Sequence, residues 1–149
     1  MKYFAYGSNM NKERMTERKI NFTSRQFAKL DGYKLVFNKK AKDGNYTYAN
    51  IIVSDDEFVE GVLYEFSDEE ISKLDKAEGF PIHYDKIKVN LTDKENNSVN
   101  ATTYIAKQDK LVNGLSPTRE YLNHILAGRD ILTVSYFEKL KQVQTYENK

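Results

Sequence analysis

The sequence of 149 residues contains no cysteine, and this absence excludes several kinds of site at once. Disulfide bonds, thiolate nucleophiles and cysteine-ligated metals cannot be built. Histidine is nearly as scarce, because only His83 and His124 are present. A serine triad would have to use one of these two, and a metal site with more than two histidines is impossible without carboxylates. The phosphate-loop pattern Gly-x₄-Gly-Lys-Ser/Thr is also missing. We therefore expect an activity that needs no metal and no other cofactor.

Long apolar runs and an excess of charge of either sign are lacking too. No window approaches the ~20 apolar residues that a membrane span needs, and the stretch after Met1 is too short for a signal peptide. The 23 basic and 22 acidic residues give a net charge of +1, which argues against nucleic-acid binding because phosphates attract strongly cationic surfaces. The expectation is a cytoplasmic protein that binds neither membrane nor nucleic acid. Its oligomeric state is left open.

A short basic run, Lys39, Lys40 and Lys42, is the nearest approach to a cationic cluster. We expect these lysines to lie in a solvated hairpin loop, as short charge runs usually do. The chain shows no internal repeat, low-complexity stretch or linker. A single domain spanning residues 1–149 is therefore predicted, at a length sufficient for a hydrophobic core.

Alternating apolar residues predict a series of short strands. The Asp31-Gly32 pair predicts a tight hairpin turn, because Asp-Gly between two apolar runs is a strong turn signal. A second pair is expected to be joined by Ser54, Asp55 and Asp56. The predicted strands are residues 2–6, 27–30, 33–38, 46–53, 58–66, 82–91 and 99–106. Because strands dominate and helices are inserted between them, we predict an α+β fold with a largely antiparallel, barrel-like mixed sheet.

Helix starts are predicted from polar capping residues. Asn11 is expected to cap a short polar helix. Ser67 and Glu70 form a potential capping box, and Gly79 is placed to end the helix that it opens. Ser116 followed by proline predicts a third helix. Ser135, with Glu138 three residues later, predicts the last one.

Glu78 is the leading candidate for chemistry. In the helix after Ser67, residues 71, 74 and 78 share one face, so Glu78 is expected to point inward with Ile71 and Leu74. It also falls in the last turn, where the helix dipole disfavours an anion. Both effects predict a raised pKa, as a general acid or base near neutral pH requires. The alternative is a frayed helix end with Glu78 in solvent. Asp75, at the edge of the same stripe, is expected to have a structural or surface role.

The second candidate is a turn of small residues at the end of the first strand, formed by Tyr6, Gly7, Ser8 and Asn9. Backbone amides at such a turn favour a carboxylate or an oxyanion. An ordinary tight turn has the same composition, so both interpretations remain open. A nucleophilic Ser8 lacks a local base and the Gly-x-Ser-x-Gly pattern.

Tyrosine is abundant, with 11 copies. Tyr84 and Tyr104 lie opposite the apolar face of their strands, and one interpretation is that their hydroxyls line a pocket. Packing in the core with a bonded hydroxyl is the alternative. His83 is expected at a strand start and His124 on a polar helix face, and neither is assigned a role.

Several of these segments together resemble the γ-glutamyl cyclotransferase family. The first is YFAYGSNM at residues 3–10. The others, in order, are residues 30–37 (LDGYKLVF), 59–64 (VEGVLY), 74–79 (LDKAEG), Tyr84, residues 103–105 (TYI) and the stretch 117–140. The resemblance covers nearly the whole chain, and it rests on the order and spacing of modest motifs.

The resemblance implies a barrel-like α+β fold around a pocket and a small-molecule γ-glutamyl substrate. The implied reaction releases 5-oxoproline and a free amine, without a cofactor, because the substrate's own α-amine is the nucleophile. Glu78 matches the acid/base, and Tyr6, Gly7, Ser8 and Asn9 match the loop that binds the γ-glutamyl group. The resemblance also places Tyr84, Tyr104 and Tyr121 near the pocket.

Two alternatives to this implied function remain open. The same fold can serve as a non-catalytic domain that binds a small metabolite. The catalysis can also act on a different leaving group, such as a polyamine or a γ-glutamyl-protected intermediate. Residues 80–83 (FPIH) depart from the family pattern, which leaves the leaving group undefined.

Overall fold

A closed five-stranded barrel forms the centre of the computed structural model, which describes residues 1–146. The strands are β1 (Lys2–Ala5), β2 (Ser24–Lys40), β3 (Thr47–Glu65), β4 (Tyr84–Asp93) and β5 (Ser98–Ala106). Their order around the barrel is β1-β3-β2-β4-β5. The sheet closes through a parallel contact between β1 and β5, and the other neighbouring pairs are antiparallel. The predicted α+β class with a largely antiparallel, mixed barrel is confirmed.

The predicted hairpin at Asp31-Gly32 is wrong, because β2 runs straight through it for 17 residues. Asp31 is aligned with Phe58 of β3, and Tyr33 is aligned with Val53. Gly32 takes a positive φ of 83° at this point, so it absorbs a bulge rather than reversing the chain. Residues 54–57 likewise bulge out of the 19-residue strand β3 instead of joining two paired strands. The true hairpin loop lies at residues 41–46.

The hairpin of β4 and β5 agrees with the sequence prediction. Its strands pair in continuous register from Tyr84 and Ala106 to Thr92 and Ser98. The Asp93 carboxylate closes the turn, because it accepts hydrogen bonds from the amides of Glu95 and Asn97, both at 2.9 Å. This hairpin brings the start of β4 next to the end of β5.

In the part of the chain that the structure describes, four α-helices surround the barrel: α1 (Lys12–Glu17), α2 (Ile71–Glu78), α3 (Arg119–Leu126) and α4 (Val134–Lys141). Asn11 caps α1 as predicted, with its side chain accepting from the Glu13 amide at 3.0 Å. The caps of α3 and α4 were predicted two residues out of place. Thr118 caps α3 rather than Ser116, and Thr133 caps α4 rather than Ser135. Within residues 1–146, no helix has the length and apolar character to cross a membrane.

The capping box predicted for Ser67 and Glu70 does not form, because Glu70 has other partners. The buried Glu70 carboxylate accepts from the Asn21 amide at 2.6 Å and from Lys73 Nζ at 2.9 Å. The Ser67 side chain makes no capping bond, and a 3₁₀ turn at Asp68–Glu70 precedes α2. The end of α2 is as predicted, since Gly79 takes the left-handed conformation with φ of 73°.

Close packing between β1 and β3 fixes the strand that leads into the candidate site. A Cβ at Gly61 would lie 2.4 Å from the Ala5 carbonyl oxygen and 2.7 Å from the Phe4 ring. Only glycine therefore lets β1 approach β3 this closely. Beyond β1, the 3₁₀ turn Ser8–Met10 packs against α3 and is buried. The position of this turn is thus fixed by β1 on one side and by α3 on the other.

Candidate active site

A cavity of about 550 Å³ opens where β1 ends, between the C-terminal end of α2 and the first residues of β4. All eight residues predicted for the site line it. They are Tyr6, Gly7, Ser8, Asn9, Glu78, Tyr84, Tyr104 and Tyr121. These residues come from five separate segments, which are the turn after β1, α2, β4, β5 and α3, and the fold brings them together.

Glu78 points inward from the last turn of α2, as the spacing of residues 71, 74 and 78 predicted. Leu74 on the same face is fully buried, and the Glu78 side chain keeps 20% of its surface exposed, within the cavity. Burial raises the pKa of the Glu78 carboxyl, while Arg18 and Arg14 act against this rise. An inward-facing carboxyl group with a raised pKa has the properties expected of a general acid or base.

Asn9 holds this carboxylate through its side chain. Asn9 Nδ2 donates to Glu78 Oε1 at 2.9 Å and to the Tyr3 hydroxyl at 3.0 Å. Its Oδ1 accepts from Arg18 NH1 at 2.7 Å, which determines which way the amide faces. The sequence pointed to the backbone of this turn, and the structure adds a side chain that orients the candidate acid/base.

The tyrosine hydroxyls are already bonded to the protein, although the residues line the cavity. Tyr6 donates to the Tyr104 carbonyl at 2.7 Å and Tyr84 to the Ala49 carbonyl at 3.0 Å. Tyr121 accepts from the Ala49 amide at 3.1 Å. Burial raises the pKa of each of these phenols, that of Tyr121 to about 12, so they remain neutral. The alternative of packing with a bonded hydroxyl is the one the structure shows.

Asp75 has a structural role at the outer side of the site. It accepts from the Tyr104 hydroxyl at 2.7 Å and from Lys86 Nζ at 2.9 Å. Since Asp75 and Glu78 are on the same helix, the bond to Tyr104 ties the helix that carries Glu78 to β5. Sequence reasoning had placed Asp75 in a structural or surface role without identifying these partners.

Sequence reasoning missed the cations that line the cavity. Arg14 lies in α1 and Arg18 directly follows it. Lys39 and Lys42 come from the end of β2 and the loop after it, and Lys76 comes from α2. The four-residue spacing of the arginines, directly after the Tyr6–Asn9 turn, was an available signal. Lys39 corrects the solvated-loop prediction, because it lies in a strand with 3% of its surface exposed.

The two histidines differ in position. His83 directly precedes β4 and lines the cavity, whereas His124 on α3 contacts Asn11 at 3.0 Å and Arg14 at 3.2 Å. Burial lowers the pKa of both imidazoles, and neighbouring cations lower it further. Within the described residues 1–146, no three histidine or carboxylate side chains converge as a metal site would require.

Comparison with known proteins agrees with this geometry. Residues 3–123 match the family model described as gamma-glutamyl cyclotransferase, AIG2-like. The chain is 28% identical over 154 residues to a gamma-glutamylcyclotransferase from Bos taurus, covering 99% of this chain and 80% of the relative. It is 29% identical, with the same coverage, to the gamma-glutamylcyclotransferase of Mus musculus. A solved gamma-glutamyl cyclotransferase structure superposes with a TM-score of 0.85 at 25% identity, covering 99% of this chain and 90% of that one.

Proposed function

Because this chain belongs to the γ-glutamyl cyclotransferase, AIG2-like family, we propose that it converts a γ-glutamyl amino acid or amine into 5-oxoproline and a free amine. The observation that carries the proposal is the inward-facing Glu78, held by Asn9 at 2.9 Å in a cavity of about 550 Å³. A carboxyl group with a raised pKa at the wall of a pocket is a frequent mark of an acid/base site.

The reaction needs one group that accepts and then returns a proton. The α-nitrogen of the substrate forms a bond to the carbon of its own γ-carbonyl group and closes a five-membered ring, and the bond from that carbonyl carbon to the leaving nitrogen breaks. The Glu78 carboxylate takes a proton from the α-ammonium and later gives one to the leaving amine. Holding the glutamyl chain in the folded geometry supplies up to ~7–11 kcal/mol of the barrier reduction. No metal or cofactor enters this scheme.

The turn that contains Gly7, Ser8 and Asn9 is proposed to bind the γ-glutamyl group. Its Ser8 and Asn9 side chains are buried, and its backbone lies at the cavity wall. Arg14 and Arg18 add positive charge on the same side, next to Glu78. These groups match the negative charge of the substrate α-carboxylate and of the oxyanion that forms at the γ-carbonyl group.

Replacing Glu78 with glutamine tests the proposal, because the amide keeps the shape and cannot transfer a proton. We expect kcat for 5-oxoproline release to fall by ~10²–10⁴-fold, the usual span for general acid/base catalysis. Glu69→Gln, the same change at an exposed position just before α2, is the matched control and should retain full activity. Near-normal turnover by Glu78→Gln would refute the assignment. Binding of γ-glutamyl compounds without any 5-oxoproline from the unaltered protein would favour the non-catalytic alternative.

A further inference from the structure

The turn Ser8–Met10 carries two carbonyls that bind side chains outside the cavity. The carbonyls of Gly7 and Ser8 accept from backbone amides, at 3.0 and 3.1 Å. The next two carbonyls, those of Asn9 and Met10, accept from the side chains of residues on neighbouring strands. A buried carbonyl group without a partner is costly, so these two bonds favour one orientation of the turn.

Tyr64 of β3 binds the first of these carbonyls. Its hydroxyl donates to the Asn9 carbonyl at 2.6 Å, and the residue is fully buried. Burial raises the pKa of the Tyr64 phenol, so it remains a neutral donor over the ordinary pH range. The ring stacks on that of Tyr3, with 6.2 Å between the centroids, and packs edge-on against Phe22 at 4.9 Å. These ring contacts fix the position of the hydroxyl.

Arg25 of β2 binds the second carbonyl, and Asp130 orients it. Arg25 NH2 donates to the Met10 carbonyl at 2.7 Å, and NH1 and NH2 donate to Asp130 at 2.8 and 3.3 Å. Two such bonds to one carboxylate fix the plane of a guanidinium group. The bond from Arg25 lowers the pKa of the Asp130 carboxyl, so the pair is ionised at neutral pH. Asp130 lies between α3 and α4, and Arg25 is paired with Tyr64 across the sheet.

Asn9 connects these outer bonds to the acid/base. Its carbonyl accepts from Tyr64, and its side-chain amide donates to Glu78 Oε1 at 2.9 Å. Tyr64, Arg25 and Asp130 are not among the described residues that line the cavity. They can therefore affect Glu78 through the turn without contacting a substrate.

From these contacts we infer that Tyr64, Arg25 and Asp130 form an outer clamp that positions the acid/base of the proposed reaction. The clamp holds the carbonyl side of the turn, so that the Asn9 amide stays within hydrogen-bond distance of Glu78. A displacement of about 1 Å in an active site can cost up to ~100-fold in rate. The inference rests on the proposed function and adds positioning residues to it.

Tyr64→Phe removes the bond to the Asn9 carbonyl and keeps the ring and the net charge. We expect kcat/KM for γ-glutamyl-alanine to fall by about 10-fold. The acid limb of its pH profile should move to higher pH, because a displaced Asn9 amide stabilises the Glu78 carboxylate less. Tyr136→Phe, which removes a buried phenol hydroxyl from α4, is the matched control and should change neither quantity. An acid limb that stays in place in Tyr64→Phe would overturn the inference, whatever the melting temperature does.

Arg25→Gln tests the other half of the clamp and leaves Tyr64 unchanged. We expect a fall in kcat/KM of the same order and the same movement of the acid limb. Lys29→Gln is the control for the lost charge, because Lys29 is also a cation of β2 but pairs with Asp31, at 3.6 Å. An equal movement in Lys29→Gln would attribute the effect to charge alone and would overturn the role of Arg25. If Tyr64→Phe does not fold, Arg25→Gln and its control decide the question.

Carbon-13 NMR titration of the Glu78 carboxyl group measures the effect without turnover, with the signal identified by its absence in Glu78→Gln. The cations and the imidazole that line the cavity are all retained in Tyr64→Phe: Arg14, Arg18, Lys39, Lys42, Lys76 and His83. We expect the pKa of Glu78 to be higher in Tyr64→Phe than in the unaltered protein and in the control variant.

The titration separates failure of the clamp from failure of the proposed function. Equal pKa values of Glu78 in the unaltered protein and in Tyr64→Phe would overturn the clamp, even where 5-oxoproline is formed. A raised value in Tyr64→Phe would support the clamp. If the unaltered protein then formed no 5-oxoproline from any γ-glutamyl compound, that result would refute the proposed function alone.

Discussion

Replacing Tyr104 with phenylalanine removes one hydroxyl and keeps the ring at the cavity wall. In the structure that hydroxyl donates to Asp75 Oδ1 at 2.7 Å, and Asp75 Oδ2 accepts from Lys86 at 2.9 Å. Burial and the bond to Asp75 raise the pKa of the Tyr104 phenol, so it is a neutral donor throughout the ordinary pH range. The hydroxyl proton is thus donated to the helix that carries Glu78 and is not available for donation to a substrate.

The expected cost follows from the kind of bond that is lost. A hydrogen bond to a charged group contributes roughly 1.5–3 kcal/mol to the free energy of unfolding. For a domain of this length, each kcal/mol shifts the melting temperature by about 2–4 °C. Tyr104→Phe is therefore expected to lower Tm by about 3–12 °C, with the affinity for substrate unchanged.

Thermal melts and steady-state kinetics on the same preparations provide the assay. Tyr84→Phe is the matched control, because its hydroxyl donates to a neutral carbonyl, that of Ala49, and its loss should cost only about 0.5–1.5 kcal/mol. Combining Tyr104→Phe with Asp75→Asn should reveal a coupling energy of roughly 0.5–3 kcal/mol between the two positions. Additive effects of the two substitutions would refute the proposed bond between Tyr104 and Asp75. A raised KM with unchanged stability would refute it too and would indicate that the Tyr104 hydroxyl binds the substrate.

Two further predictions concern the turn and the acid/base. A Cβ at Gly7 would lie 3.2 Å from the Tyr121 hydroxyl and 3.3 Å from Ala49 Cβ, at the wall of the cavity. We therefore expect Gly7→Ala to weaken the binding of 5-oxoproline, measured by calorimetry. The melting temperature should shift by only a few degrees. Ser8→Ala should have little effect, and lost turnover with normal binding in that variant would indicate a serine nucleophile instead. Because burial raises the pKa of Glu78 above its usual value of 4.5, the native state holds a proton that the unfolded state releases. Stability measured by urea unfolding should therefore fall as pH rises from about 4.5 through the raised pKa, and Glu78→Gln should remove this part of the slope. Parallel pH profiles for the two proteins would contradict the shift.

The position of Glu78 was predictable from the sequence because its signals are local. Helical spacing alone places residue 78 on the face of Ile71 and Leu74, and Gly79 ends the helix directly after it. The turn at residues 6–9, Tyr84 and Tyr104 were candidates from the sequence itself with alternatives left open, and the family resemblance favoured them and added Tyr121. All of them line the cavity, and the hydroxyls of Tyr84 and Tyr104 are bonded to the protein, as one of the two alternatives for them stated.

The long strands were not predictable, because the signal for a tight turn is also the signal for a bulge. An Asp-Gly pair supplies a residue with positive φ in both cases, and only pairing with a distant strand decides between them. Here Asp31 and Tyr33 both pair with β3, so the strand continues. Lys39 was misplaced because the predicted strand ended at residue 38, whereas β2 continues to residue 40 and carries Lys39 into the cavity wall.

The misplaced helix caps have a related cause, which is competition from tertiary partners. Glu70 would close a capping box with Ser67, but the Asn21 amide and Lys73 bind its carboxylate. At α4, the buried Glu60 accepts from both the amide and the hydroxyl of Thr133, at 2.9 and 2.7 Å. This favours a helix start two residues before the one that the sequence suggested. Several nearby residues can serve equally well as a helix cap in the sequence, and a contact with a distant residue decides which of them does.

Opposing effects on a single carboxyl group explain why the site is built from so many elements. Burial alone would favour the neutral acid at Glu78, which could then no longer accept a proton from an ammonium group. Arg18, at 3.7 Å, and Arg14 favour the carboxylate and limit that rise. Asn9 donates to the same oxygen and is itself fixed by Arg18. The end of α2 can bury a glutamate, but α1 and the residue that follows it supply the two arginines, and the turn after β1 supplies the Asn9 amide. The proton affinity that the proposed reaction needs is therefore a property of the assembled barrel and not of α2 alone.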